Sequence, residues 1–220
     1  MTRSLIAIAI AAGLFAGVPA LAQAQQQPTR AAAGQAQGEP SRLVLENTQR
    51  ILNALETRRA EFTANRGTLD SFLRDEFDTI FDRDYAARQV LGRHGRGASE
   101  ADIQLFAQAL SESLLSRYGG SLLDFNVRLT PRIRSESELP RGLGVRVASE
   151  LVRQGGDPVP VDYLMRQSGG QWKVFDVQVE GVSFVSTFRR QFDTELQQKS
   201  IRQVANELRS GRLQADADVD

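Results

Sequence analysis

Apolar residues recur three or four positions apart along the first half of the chain, which predicts amphipathic helices. Ser41 is a candidate N-cap for a first helix that runs to about residue 65. Its apolar stripe consists of Val44, Ile51, Leu55 and Phe62. Thr48 lies on the same stripe, and Leu52 lies beside it. The pattern therefore predicts that this helix packs one face against the rest of the protein.

Three more helices are predicted before residue 120. One begins after Thr68, and a short one runs from residues 82–84 to residue 91. Ser99 caps a long helix that ends at Gly119-Gly120. Between the last two, residues 92–97 form the loop GRHGRG, which combines three glycines with three basic side chains. We expect His94 in this loop to be solvated, and its arginines are candidates to meet an acidic partner surface or a lipid phosphate.

After residue 120 the apolar period changes to two, which predicts strands. Four are expected, at residues 122–133, 143–153, 159–167 and 171–179. The glycine-rich turns between the last three favour an antiparallel meander. A helical segment from about residue 184 to 209 follows, with Lys199-Ser200 as a candidate break. The predicted fold class is α+β: N-terminal helices packed on a curved antiparallel four-stranded sheet, with a C-terminal helical segment.

The predicted strands have one face without charge, because alternate residues of a strand share a side. Its members are Phe125, Val127, Leu129, Val145, Val147, Leu151, Val161, Tyr163, Met165, Phe175, Val177 and Val179. Ser149 is its clearest polar interruption, and the opposite face carries charges such as Asp176. Two interpretations stay open at this point. The helices either seal this face as a dry core or stand off and leave a pocket for an apolar ligand.

The N-terminus is typical of an export signal. Arg3 precedes an uncharged apolar run over residues 5–18, and Ala20-Leu21-Ala22 is a small-x-small cleavage site. The run is shorter than the roughly 20 residues that span a bilayer. We therefore expect a signal peptide over residues 1–22, cleaved near Ala22, in a protein of the periplasm.

The rest of the chain divides by composition. Residues 23–40 are rich in Ala, Gln, Gly and Pro, which predicts a disordered leader before a folded domain at 41–210. Residues 211–220 are predicted to be a disordered tail. The chain has no cysteine, so a lipid-modified cysteine is not expected. Its 27 basic and 27 acidic residues balance, and no strong field favours nucleic acid.

Three segments of the chain resemble the MlaC family, also known as the toluene-tolerance Ttg2 family. They are VLGRHGRGASEADIQLFAQAL at residues 90–110, the Tyr118-Gly119 helix end, and VDYLMRQSGGQWKVFDVQVEGVSFVSTFRRQF at residues 161–192. The resemblance implies a nuclear-transport-factor-like (NTF2-like) cone, with helices and a sheet around a lipid cavity. Family members often have a glycine near Lys199-Ser200, and this chain has none there.

The same resemblance implies a function. It implies a soluble periplasmic phospholipid carrier of the Mla pathway that shuttles single phospholipids between the outer and inner membranes. Such transport maintains the lipid asymmetry of the outer membrane. Phospholipid is then the cargo, with no cofactor and no metal, and the protein is not an enzyme. The implied partners are an inner-membrane lipid transporter with a lipid-binding substrate domain and an outer-membrane lipid-exchange complex. We expect a monomer.

Combining the apolar face with the resemblance gives a set of candidate lipid-binding residues. They are Phe106, Leu110, Tyr118, Phe125, Val127, Val145, Val147, Val161, Tyr163, Met165, Phe175 and Val177. Each offers an apolar body, and the two tyrosines add a polar tip that suits a pocket mouth as well as a core.

Two other functions are weighed against the carrier. The first is a non-catalytic envelope adaptor that binds protein and no lipid. The second is a small-molecule isomerase on the same scaffold, which would need an Asp, Glu or His on the apolar face. Asp176 and Glu180 might suggest a carboxylate pair. We expect them on the polar face instead, in cross-strand pairs with Arg166 and Arg146.

Overall fold

The computed structural model describes residues 38–123, 128–153 and 155–216. The predicted signal peptide and all but the last three residues of the predicted leader lie outside these ranges. In chain order the helices are α1 Glu39–Thr57, α2 Arg59–Ala64, α3 Arg66–Ile80, α4 Arg83–Leu91, α5 Glu100–Tyr118, α6 Phe184–Gln198 and α7 Ile201–Arg209. The strands are β1 Leu129–Glu138, β2 Val145–Arg153, β3 Val159–Ser168, β4 Gln171–Val179 and β5 Val182–Ser183.

The first helix begins three residues earlier than predicted. Gly38 is its N-cap and Pro40 lies in its first turn, a position where the missing proline N–H costs nothing. Ser41 is thus inside the helix, and the prediction that it caps α1 is wrong. Its hydroxyl donates to Glu136 Oε2 of β1 at 2.6 Å, and its backbone N–H donates to the same oxygen at 3.1 Å. Ser41 therefore ties the start of α1 to the sheet.

The other helix boundaries follow capping chemistry that is visible in the sequence. The side chains of Asn65, Asp82 and Ser99 each accept a hydrogen bond from the first turn of α3, α4 and α5. The break at Lys199-Ser200 is confirmed. Ser200 and Gln203 form a reciprocal capping box at the start of α7, so this break needs no glycine.

The strands form an antiparallel meander in the order β1-β2-β3-β4-β5, which confirms an α+β fold. Two details differ from the prediction. β5 adds a short fifth strand before α6, and β1 occupies Leu129–Glu138 instead of residues 122–133. Gly120–Leu123 forms a single 3₁₀ turn, and the predicted site residues Phe125 and Val127 lie outside the described residues.

A bulge changes which residues of β4 share a face. Tyr163 pairs with Val177, but Met165 pairs with Val174, so the register shifts between Leu164 and Met165. A bulge places two residues of one strand opposite one of the other, which reverses the alternation beyond it. Val174 therefore joins the apolar face, where it is fully buried.

Phe175 was predicted on that apolar face, and this assignment is wrong. At the register shift Phe175 has no partner on β3, since Val177 pairs with Tyr163 and Val174 pairs with Met165. Its ring instead packs edge-on against Tyr85 of α4, with the ring centroids 5.3 Å apart. The Arg166 guanidinium lies over the Tyr85 ring, 4.3 Å from its centroid.

Buried apolar side chains fall into three separate clusters. The helical cluster joins α4, α5, α6 and α7 and contains no strand residue. The hairpin cluster joins α1, α2 and α3 around Phe62, Leu69 and Leu73. The sheet cluster consists of Val44, Ile80, Val147, Met165 and Val174. The sheet therefore meets α1 and the end of α3, whereas the C-terminal helices form a core of their own.

Part of the predicted disordered tail is packed. Ala215 is completely buried in the helical cluster. Asp216 accepts hydrogen bonds from Arg117 at 2.9 Å and from Tyr118 at 3.0 Å. Residues 211–216 therefore belong to the fold, which differs from the prediction. Across the described residues, no helix has the length and apolar content needed to cross a membrane.

Candidate functional site

The candidate site is the face of β2, β3 and β4 that lies under α1. In register, its three central rows are Val145 with Met165 and Val174, Val147 with Tyr163 and Val177, and Ser149 with Val161 and Val179. No side chain in these rows carries a charge. The prediction of a charge-free face on these strands is thus confirmed, with Val174 in the place of Phe175.

The Ser149 hydroxyl and the Glu136 carboxylate at this face are both hydrogen-bonded within the protein. The Ser149 hydroxyl donates to the carbonyl oxygen of Val161 at 2.6 Å, within the sheet itself. Two carboxylates lie at the β1 edge of this face: Glu136 pairs with Val147, and the exposed Glu138 pairs with Val145. Glu136 is the more buried of the two. It is occupied by Ser41, which donates to it twice. An acid that is already bonded to a helix start is poorly placed to act on a ligand.

Burial across this face is uneven. Val147, Met165 and Val174 are completely buried against Val44 and Ile80. Val145, Tyr163 and Val177 belong to the same cluster and are only partly buried. Complete burial is therefore confined to part of this face, and the neighbouring residues keep some accessible surface.

Tyr163 is the residue of this face whose hydroxyl contacts α1. It lies on the central strand, with Val147 on one side and Val177 on the other. Burial raises the pKa of its hydroxyl, and a hydrogen bond with Thr48 of α1 acts in the opposite direction. The side chain nevertheless keeps accessible surface.

The structure does not bring all the predicted site residues together. Phe106 and Leu110 lie in the helical cluster, where the Phe106 ring packs edge-on against Phe192 with centroids 5.7 Å apart. Tyr118, at the end of α5, is partly buried and bonded through its hydroxyl to Asp216. The residues that do share the site are Val145, Val147, Val161, Tyr163, Met165 and Val177.

Asp176 has different partners from those predicted. It accepts hydrogen bonds from the Ser183 hydroxyl at 2.6 Å and from the Val185 N–H at 3.0 Å, so it holds the start of α6. Burial raises the pKa of Asp176, and these hydrogen bonds partly counter that effect. Arg166 pairs with Asp82 at 2.6 Å and Arg146 with Asp162 at 3.9 Å. The predicted cross-strand pairs of Asp176 with these arginines are therefore wrong.

His94 is also more tightly held than the sequence suggested. Its Nε2 lies 2.9 Å from Asp193 Oδ1 of α6, and only 17% of its side chain is exposed. The expectation of a solvated histidine is wrong. The sequence did not indicate its partner, because Asp193 lies far away along the chain. Arg93 binds the same carboxylate at 3.0 Å. The loop therefore docks onto α6.

Four residues of the site were absent from the candidate set, and two of them, Ser149 and Val179, had been placed on the apolar face without being named as lipid contacts. Val174 was assigned to the other face, and only the bulge places it here. Thr48 contacts Tyr163 at 3.4 Å, and its position on the apolar stripe of α1 was a usable indication. Among the described residues, no group of three or more His, Asp or Glu is placed to hold a metal ion.

Comparison with known proteins gives one family. The family model described as MlaC protein matches residues 45–210. Toluene tolerance protein ttg2D of Pseudomonas putida is 25% identical over 187 residues, covering 80% of this chain and 85% of that protein. The intermembrane phospholipid transport system binding protein MlaC of Haemophilus influenzae is 20% identical over 153 residues, covering 68% and 71% of the two chains.

A solved structure has the same fold. It is the phospholipid-binding protein of Ralstonia solanacearum in complex with a phospholipid, with a TM-score of 0.68. The match covers 79% of this chain and 98% of that one at 18% sequence identity.

Proposed function

The chain belongs to the MlaC protein family, and from that premise we propose that it is a phospholipid-binding transport protein. Its two named relatives and its structural neighbour support this proposal. The observation that carries it is the charge-free face under α1, where Val145, Tyr163 and Val177 stay partly accessible in the middle of the sheet. An apolar wall with a little polar chemistry is what a lipid-binding site requires.

The physical need for such a site is large. A diacyl phospholipid has about 30 methylenes, and each costs roughly 0.8 kcal/mol to expose to water. Bare transfer through water would therefore cost on the order of 20 kcal/mol. A protein that covers the acyl chains removes most of this cost. It must then release the lipid by docking to a partner or by changing the site.

Location and partners extend the proposal. The sequence features of residues 1–22 support export to the periplasm, where the carrier would move phospholipid between the outer and inner membranes. It would exchange cargo with an outer-membrane lipid-exchange complex and with an inner-membrane transporter that has a lipid-binding substrate domain. We propose it as a carrier and not as an enzyme. At the β1 edge of the described face, Glu136 is bonded to Ser41, and Glu138, which pairs with Val145, is exposed to solvent.

The lipid-contacting set follows from the register. We propose that the acyl chains contact Val145, Val147, Val161, Tyr163, Met165 and Val177. Phe106, Leu110 and Tyr118 remain predictions as lipid contacts, and their place in or beside the helical cluster favours a packing role.

The test is native mass spectrometry of the full chain, purified without detergent from a periplasmic extract, followed by lipid extraction. The expected result is a mass increment of one phospholipid on most molecules, which is lost on denaturation. A bare protein mass that does not change after incubation with phospholipid vesicles would exclude the carrier. Binding of a protein without lipid would favour the envelope adaptor instead.

A further inference from the structure

Two hydroxyl groups meet inside the candidate site. Tyr163 Oη of β3 and Thr48 Oγ1 of α1 lie 3.4 Å apart and bridge the sheet to the helix that covers it. The usual distance between hydroxyl oxygens in a hydrogen bond is about 2.7–2.8 Å, so this bond is weak. Within the described residues, neither hydroxyl has another hydrogen-bond partner.

One of the two O–H hydrogens of Tyr163 and Thr48 is not used in the bond between them. Each hydroxyl has one O–H, and the bond between them uses one of the two. The second O–H has no acceptor among the described residues, although both groups are partly buried. A donor that becomes covered without an acceptor is costly, so a ligand that covers this pair is expected to bring an acceptor of its own.

Other hydroxyls of the protein show the contrast. On the same helix, Thr57 donates to the carbonyl oxygen of Asn53 at 2.8 Å, and Thr79 of α3 donates to that of Asp75 at 2.8 Å. Ser149 donates to Val161 within the sheet. Thr48 makes no such bond to its own helix. Its hydroxyl is turned to Tyr163, at the centre of the site.

We propose that Tyr163 and Thr48 form a polar anchor for the ester carbonyl of a glycerolipid, so that the site favours ester-linked over ether-linked lipids. This inference rests on the proposed function. A carbonyl oxygen is an acceptor and carries no proton, which matches one spare O–H. A phosphate is a poorer match, because the three central rows carry no cation and a buried anion needs a charged partner.

The selectivity follows from what an ether lacks. An ether-linked lipid with the same chains fills the apolar space equally well but has no carbonyl oxygen at this point. Its binding would leave the spare O–H unpaired, and a site built to hydrogen-bond a ligand discriminates against an analogue without the group. A single hydrogen bond of this kind is worth about fivefold in binding.

The experiment is a competition. The full chain is incubated with vesicles that hold equal amounts of ester-linked and ether-linked phosphatidylethanolamine with the same chains, and the bound lipids are extracted and counted by mass spectrometry. The wild type is expected to favour the ester form about fivefold. Tyr163→Phe and Thr48→Val, which each remove one hydroxyl, are expected to lower that ratio to near one. Thr48→Ser is expected to keep it.

Matched controls use the same substitutions elsewhere. Thr57→Val on α1 and Tyr85→Phe on α4 are expected to keep the wild-type ratio. Equal uptake of the two lipids by the wild type would overturn the anchor and leave the carrier function intact. An unchanged ratio in both Tyr163→Phe and Thr48→Val would do the same. Uptake of neither lipid would overturn the proposed function, and the anchor with it.

Discussion

The helical cluster and the sheet face consist of similar apolar residues but differ in how completely these residues are buried. In the helical cluster, Phe106, Phe192 and Val204 are completely buried, and among the described residues 15 buried members outnumber the seven partly buried ones packed against them. On the sheet face, complete burial stops at Val147, Met165 and Val174, and the next residues keep accessible surface. Apolar composition therefore does not separate a core from a binding site, whereas the completeness of packing does.

The largest effect on stability is expected in the helical cluster. Phe106→Ala removes a completely buried ring that packs against Phe192. It is expected to lower the free energy of unfolding by about 3–5 kcal/mol. Val177→Ala on the sheet face is expected to cost only about 1–2 kcal/mol, because its side chain is partly accessible. Urea unfolding measures both, and equal costs would contradict the comparison.

The largest effect on lipid content is expected on the sheet face. Val177→Arg puts a charge into the apolar site, and a buried charge without a partner costs several kcal/mol. The folded variant is expected to carry at least about tenfold less phospholipid. Gln178→Arg is the matched control, since it adds the same charge one residue along β4 on the opposite face. A folded Val177→Arg protein with normal lipid content would show that this face does not bind lipid.

The sequence predicted the faces but not the interruptions of their period. Alternation from Val145 to Leu151 and from Val161 to Met165 was enough to place these residues of β2 and β3 on the correct face. A bulge leaves no trace in an apolar pattern, because Val174 and Phe175 suit either face. Its position is decided by packing, which is why Phe175 was misplaced.

Long-range polar contacts were out of reach for a similar reason. His94 and Asp193 are 99 positions apart, and Ser41 and Glu136 are 95 apart. Nothing local marks either pair. Short-range chemistry did better, since the caps at Asp82 and Ser99 were predicted from residue type and spacing alone. Whether the apolar face is a dry core or a binding site could not be predicted, because core and pocket walls use the same side chains.

Asp176 joins the two regions, since it lies on β4 and holds the start of α6. Burial raises the pKa of Asp176 in the folded state above its value of about 3.9 in the unfolded chain. Its titration therefore favours folding most below pH 4, and this contribution is lost as the pH rises through the folded pKa. Asp176→Asn does not titrate, so its stability relative to the wild type is expected to improve between pH 4 and 7.

That change is measured by urea unfolding at several pH values. Asp157→Asn, at an exposed turn, is the control and is expected to show no such trend. A difference between Asp176→Asn and the wild type that stays constant with pH would contradict the account.

The smallest effect is expected at the surface of the helical cluster. The hydrogen bond from His94 is the main cause that lowers the pKa of Asp193, and Arg93 adds to it. The resulting stability is present above about pH 4 and is lost as the pH falls through the folded pKa. Asp193→Asn is expected to be slightly less stable than the wild type at pH 7, and this difference is expected to shrink as the pH falls below 4. Its lipid content is expected to stay normal, and a loss of lipid would connect this loop to the site.

We propose that lipid lies against the sheet face and not in the helical cluster. The most direct test loads the protein with a phospholipid that carries a photoactivatable diazirine on one acyl chain, irradiates it, and maps the labelled residues by peptide mass spectrometry. The account predicts labels on β2, β3, β4 and the Thr48 side of α1. Labels concentrated in α5, α6 and α7, around Phe106 and Phe192, would contradict it.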